Sequence, residues 1–216
     1  MALKNRDLGH LRLQLITDGL GDEDRIVDIV SSALAAGLRS VQVREPKWSA
    51  RLLLRACERL RPALDAVGGW LLVNDRVDVA LAGAAHGVQL GHRSLPPATV
   101  RAMVGEQVVL GYSAHDADEL GRAARDGCDF ALLSPVWPTN SKPDAAFLGV
   151  ERAGHLTAEA RLPVLWLGGV DQTTAAELTR LPAEQRPIGI AVRSAIMQAP
   201  DVEQATRRLL DQLPRG

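Results

Sequence analysis

Two stretches near the C-terminus combine residue types that hold an anion. LGGVDQTTAA places Gly168 and Gly169 after an apolar run and before a helical pattern whose N-cap is Asp171 or Thr173; IAVRSAI places Arg193 and Ser194 at a second such junction. Backbone amides opened by small residues at helix N-termini bind phosphate. A glycine pair alone would mark only a tight turn, and its pairing with Arg193 and Ser194 points to a phosphate ligand. His115 closes VVLGYSAH and is followed by Asp116 and Glu119, a D-x-x-E capping-box pattern. An imidazole there could move protons near neutrality or be a part-buried ring bonded to a neighbour. Asn74 and Asp75 in LLVNDRVDVAL suit a Mg2+ ion bridging phosphate oxygens, while Asp75 could equally cap the helix that follows. The Pro-interrupted loop SPVWPTNSKPDAAFLG offers Thr139 and Lys142 as phosphate ligands, residues 135–148 as a lid, or simply a solvated lysine.

These residues need a frame. Eight short Leu- or β-branched-rich runs, LRLQLI, RSVQVR, WLLVN, GVQL, VVLGYS, DFALLS, PVLWLG and IGIAVR, alternate with amphipathic runs whose apolar residues recur at three- and four-residue spacing, as at Ile26, Ile29, Val30 and Leu34. Strand and helix repeated eight times calls for parallel strands with helical crossovers. It favours closure into a (β/α)8 TIM barrel over an open sheet, with residues 1–216 as one α/β domain. Polar residues and glycines gather at the C-terminal strand ends: Thr17 and Asp18, Gln42 and Arg44, Asn74 and Asp75, Gln89 and His92, Ser113 and His115, Ser134, Gly168 and Gly169, Arg193 and Ser194. That is the catalytic mouth of such a barrel, and the turns after strands 7 and 8 are its usual phosphate position. Trp166, inside the seventh run, is expected in the core, either filling the barrel or reaching the mouth.

Composition sets the outer limits. A net charge of -1 with 3% aromatics argues against a phosphate-tracking or base-stacking grip on nucleic acid. No apolar run approaches the ~20 residues of a membrane span, and the charged start MALKNRDLGH is unlike a signal peptide, so a cytoplasmic location is expected. Cys57 and Cys128 read as reduced, buried small apolar residues. His10 and His155 read as surface residues, and His86 as part of a turn. Barrels of this kind often associate, which allows a homo-oligomer.

VQVRE, LLVNDRVDVALAGAAHGVQLG, GYSAH, LLSPVWPTNSKPD, LWLGGV and IAVRSAI, in this order, resemble the thiamine phosphate synthase / TenI family across essentially the whole chain. The resemblance implies a barrel that binds a thiazole phosphate. In the synthase, that thiazole displaces pyrophosphate from a hydroxymethylpyrimidine diphosphate with Mg2+ present. In the TenI-type tautomerase, a thiazole phosphate carboxylate is isomerised to its aromatic form without metal or organic cofactor. Carried over, the resemblance assigns the thiazole phosphate to Gly169, Arg193 and Ser194, with Gly168 beside them. It assigns the pyrimidine and pyrophosphate contacts to Gln42, Arg44, Asn74, Thr139 and Lys142, Mg2+ to Asp75, a ring contact to Ser113 and tautomerase proton transfer to His115.

Two positions depart from the synthase pattern. Pro46 stands where it has a lysine, with Lys47 one step out of register, and Ser94, in GHRS, stands where it has a second Mg2+ aspartate. Losing one cation and one carboxylate weakens the clamp on a leaving group whose charge grows as the bond breaks. On this ground the tautomerase is the first expectation, with His115 as general acid/base and Arg44 on the substrate carboxylate. The synthase is the alternative, supported by the retained Asp75, and a non-catalytic phosphate binder comes third.

Overall fold

A computed structural model describes residues 8–139 and 146–213. Eight parallel strands close on themselves in chain order: β1 (Leu13–Ile16), β2 (Ser40–Val43), β3 (Trp70–Asn74), β4 (Gly87–Leu90), β5 (Val109–Ala114), β6 (Phe130–Leu133), β7 (Val164–Leu167) and β8 (Gly189–Val192). Strand β8 returns to β1 with Ile190 opposite Leu13. The helices between them are α1 (Glu23–Ala35), α2 (Ala50–Ala66), α3 (Val77–Ala82), α4 (Pro97–Val104), α5 (Ala117–Arg125), α6 (Val150–Glu159), α7 (Gln172–Glu177) and the short α8 (Ser194–Met197), followed by α9 (Val202–Gln212). The expected (β/α)8 barrel is the fold. Its first strand is shorter than the run LRLQLI, because Leu8–Arg12 form a 3-10 turn and Leu11 closes the barrel floor instead of pairing.

The two-residue period of a strand sorts side chains between two cores. Leu11, Ile16, Leu72, Val109, Phe130, Leu132, Leu165 and Ala191 meet inside the barrel. The alternate positions, such as Leu15, Val41, Val73, Leu110 and Leu133, join the buried helix faces outside it, including Ile26, Val30 and Leu34 of α1. Phe130 fills the barrel centre because Gly111 opposite has no side chain: a Cβ there would lie 2.4 Å from the phenyl Cζ. The same alternation corrects the expectation for Trp166. With Leu165 and Leu167 turned inward, Trp166 points outward, fully buried, its Nε1 donating to Thr157 Oγ1 of α6 at 2.8 Å and its ring edge-on to Trp137 at 5.8 Å. It neither fills the barrel nor reaches the mouth.

Strands β1 to β5 also place polar side chains in the interior. Gln14 donates to Ser40 Oγ at 3.3 Å, Gln42 to Asn74 Oδ1 at 3.1 Å and Gln89 to Ser113 Oγ at 3.1 Å. These glutamines are almost wholly buried, and the Oε1 of each has no partner. The barrel interior thus joins an apolar cluster to hydrogen-bonded polar pairs carried by β1 to β5, and both reach the mouth.

Candidate active site

The mouth holds two joined cavities. One, of about 330 Å³, is lined by Ile16, Arg44, Asn74, Asp75, Leu90 to Ser94, Ser113, His115, Ser134, Pro135, Thr139, Leu167, Gly168 and Arg193. The other, of about 530 Å³, is lined by Pro138, Thr139, Leu167 to Asp171, Ala191 to Ala195 and Gln198. Thr139, Leu167, Gly168 and Arg193 belong to both, so one ligand or two can bridge them.

The second cavity gathers the two turns expected to hold an anion. Gly168 and Gly169 take φ of 96° and 69°, a backbone that L side chains rarely adopt. A Cβ on Gly169 would stand 2.3 Å from the Pro138 carbonyl oxygen and 2.7 Å from Trp137 Cβ. The β6 loop is laced to this turn, with Val136 N donating to Leu167 O at 3.0 Å and Trp137 N to Gly168 O at 3.1 Å. Of the two helix starts here, α7 is already capped: Asp171 accepts from Thr173 N and Thr174 N at 2.8 and 2.9 Å, and Thr174 Oγ1 accepts from Asp171 N. Helix α8 has no side-chain cap. The amides of Ser194 and Ala195, in its first turn, lack intrahelical acceptors. The backbone donors left for a ligand in this cavity therefore lie at the glycine turn and the start of α8 rather than at α7.

His115 is fixed from both sides. Its backbone N donates to Glu119 Oε2 at 2.7 Å, and its Nδ1 lies 2.5 Å from the Ser134 carbonyl oxygen. A carbonyl only accepts, so Nδ1 carries the proton and the neutral ring keeps its lone pair on Nε2. Asp116 caps α5 by accepting from Glu119 N at 2.8 Å, but Glu119 reaches back to His115 rather than to Asp116, one residue earlier than the box pattern implies.

Asp75 is not a cap. Helix α3 starts at Val77, its flanking residue is Arg76 and no side chain caps it, while Arg76 pairs with Asp78 at 2.6 Å. Asp75 itself sits at φ 64° with its N–H on Gln89 O at 2.9 Å, and the residue lines the first cavity. Among the described residues no cluster of three or more His, Cys, Asp or Glu could hold a metal. The donors present fit a Mg2+ ion held chiefly by substrate oxygens, with Asp75 as its one protein carboxylate.

Of the other expected residues, Arg44, Asn74, Ser113, Thr139, Gly168 and Arg193 line the first cavity, and Gly169 and Ser194 the second. Gln42 lies one tier lower, buried, and reaches the mouth only through Asn74. Lys142 is outside the described residues, as is part of the expected lid. Lys47 does not line either cavity. Its neighbour Glu45 is buried, with its carboxylate accepting from Gly19 N and Gly21 N at 3.1 Å each, so it ties the β1 loop to the β2 loop. The cysteines are free and buried, and burial pushes their thiols up to about 11 for Cys57 and about 12 for Cys128, far from nucleophilic use. His92 and Arg93 line the first cavity although the sequence reading gave neither a role. The signal is the stretch GHRS, in which the sequence marks His92 as a strand-end residue and Ser94 as a departure but does not single out Arg93.

Residues 13–196 match the family model described as thiamine monophosphate synthase. The chain belongs to that family. Like its relatives it is a thiamine-biosynthesis barrel enzyme. It is 39% identical to thiamine-phosphate synthase of Roseiflexus castenholzii, over 91% of this chain and 86% of that one. It is 38% identical to the Chloroflexus aurantiacus enzyme of the same name, over 92% and 90%. Its structure superposes on the thiamine phosphate pyrophosphorylase from Pyrococcus furiosus with a TM-score of 0.85 at 32% identity, covering 95% and 97% of the two chains. A KDPGal structure at 16% identity and TM-score 0.70 shares the fold alone. Among the described residues no helix is long and apolar enough to cross a membrane.

Proposed function

We propose that the chain is a thiamine-phosphate synthase, joining a thiazole phosphate to a hydroxymethylpyrimidine diphosphate with release of pyrophosphate. This reverses the order suggested by Pro46 and Ser94. The observation that carries it is near full-length likeness to relatives bearing that name, and the two-lobed mouth is in keeping with two substrates. The thiazole phosphate lies in the lobe of Gly169, Arg193 and Ser194. The pyrimidine diphosphate lies in the other lobe, against Arg44, Asn74 and Ser113, with the bond to be broken where the two lobes meet. Guanidinium groups stabilise the charge that develops on the departing pyrophosphate, and the apolar wall of Ile16, Leu90 and Leu167 strengthens that interaction by keeping water away. Mg2+, when bound at Asp75, supplies further neutralisation of the same charge. The thiazole nitrogen, held in line by its phosphate, then captures the pyrimidine cation.

The test is pyrophosphate release by the purified chain given both substrates, with and without Mg2+. Release dependent on both substrates supports the synthase. A second reading, the TenI-type tautomerase, is favoured by one observation, the His115 ring with its lone pair left on Nε2 in the mouth. Metal-free isomerisation of the thiazole phosphate carboxylate, without pyrophosphate release when both synthase substrates are supplied, would put this reading in place of the first.

A further inference from the structure

Strands β2, β3 and β4 are neighbours in the barrel wall, and the residues just beyond their ends are Arg44, Asp75 and, across a four-residue turn, Arg93. All three line the same cavity, which Arg193 also lines, so its single carboxylate among the described residues shares the space with three guanidinium groups. Arg44 is half-buried, and its side chain makes no hydrogen bond or ion pair with a described residue; the same is true of the exposed Arg93. The turn that carries Arg93 is built by Ser94: its Oγ accepts from Gly91 N at 2.9 Å, and its N–H donates to Gly91 O at 2.9 Å. The serine that replaces an aspartate is therefore a turn clamp, and what the turn delivers to the cavity is a cation. An anion in this cavity would meet, in Arg44 and Arg93, two donors made for bidentate contact.

We propose that Arg93, together with Arg44, binds the second anionic group of the ligand directly, supplying a cation at the mouth where Pro46 and Ser94 supply none. On the synthase reading, upon which this rests, that group is the diphosphate of the pyrimidine substrate, and it binds without Mg2+. The tautomerase reading would put the substrate carboxylate in the same place.

The probe is inorganic pyrophosphate, titrated calorimetrically into the full chain in EDTA at low salt, with inorganic phosphate as the comparison ligand. Wild type is expected to bind pyrophosphate. Arg93→Ala should weaken it roughly 10- to 100-fold, as loss of a hydrogen bond to a charged group implies, and Arg93→Lys should fall between. Affinity for inorganic phosphate, held in the other lobe, should be unchanged in both variants, with thermal unfolding confirming that they fold. Pyrophosphate binding only when Mg2+ is added, no binding at all, equal affinity in Arg93→Ala, or the same loss for both ligands would each overturn the proposal. Turnover separates it from the reading beneath it. Active enzyme whose KM for the pyrimidine diphosphate is unmoved by Arg93→Ala defeats the role of Arg93 and leaves the synthase standing. Metal-free, Arg93-dependent pyrophosphate binding in a chain that releases no pyrophosphate does the reverse, and Arg93-dependent binding of thiazole phosphate carboxylate then identifies the anion.

Discussion

His115 carries the difference between the two chemistries at the scale of one side chain. A general acid/base is worth roughly 10²–10⁴-fold, so His115→Ala should lose that much of any isomerase activity. A synthase acts mainly by placing charge, and its pyrophosphate release should fall by no more than about 10-fold, through loss of the ring's contact with the Ser134 carbonyl. A release assay and an isomerisation assay on the same variant give both numbers. Single residues were also where the sequence was hardest to read. That Asp75 is a cavity carboxylate rather than a cap depends on α3 beginning two residues later, at Val77. That Gln42 is buried beneath the mouth depends on which tier of the barrel its strand position reaches. Both are consequences of strand stagger, which residue types do not encode. Arg93 escaped because a charged residue in a short loop is ordinarily a solvated one, and only the turn held by Ser94 brings it to the cavity.

Elements were far more legible, because the periods of two and of three to four that mark strands and helices also decide which faces they bury. The junctions between elements carry the strain. Gly169→Ala would place a Cβ 2.3 Å from the Pro138 carbonyl oxygen in a left-handed backbone. The variant should lose about 2–4 kcal/mol in urea unfolding and most of its affinity for inorganic phosphate. At the opposite end, where β3 and β4 begin, His86 Nδ1 accepts from Leu71 N at 3.0 Å, and burial holds the imidazole below its ordinary value. The unfolded chain takes up a proton near pH 6.5 and the folded chain resists it. The stability this joint contributes is therefore complete above about 6.5 and is lost as pH falls through the depressed folded value. Denaturation curves between pH 7 and pH 5 should show wild type losing more stability than His86→Asn, which keeps an acceptor for Leu71 but cannot titrate. Equal losses would mean that His86 does not report the joint.

Closure is a property of the whole chain. Every strand hydrogen-bonds to two neighbours, and the seam that completes the ring joins β1 to β8 across almost the full sequence. A second bond spans the same distance below the seam: Arg12, on the floor turn, donates to Leu210 O and Leu213 O at 2.6 Å each, satisfying the last carbonyls of α9. Leu210 O also accepts from Leu213 N at 3.3 Å where the helix ends, so the partly buried guanidinium adds a second donor there and suits the negative end of the helix. Arg12→Ala should therefore release α9 and weaken the seam it covers, costing about 1–3 kcal/mol in chemical denaturation. Because the floor lies at the end of the barrel away from the mouth, KM and kcat at 25 °C should stay within about 2-fold of wild type while the unfolding midpoint drops. Loss of activity in parallel with stability would show instead that the mouth depends on the seam below it, and would move the origin of the site's order from the buried polar pairs to the closure of the ring.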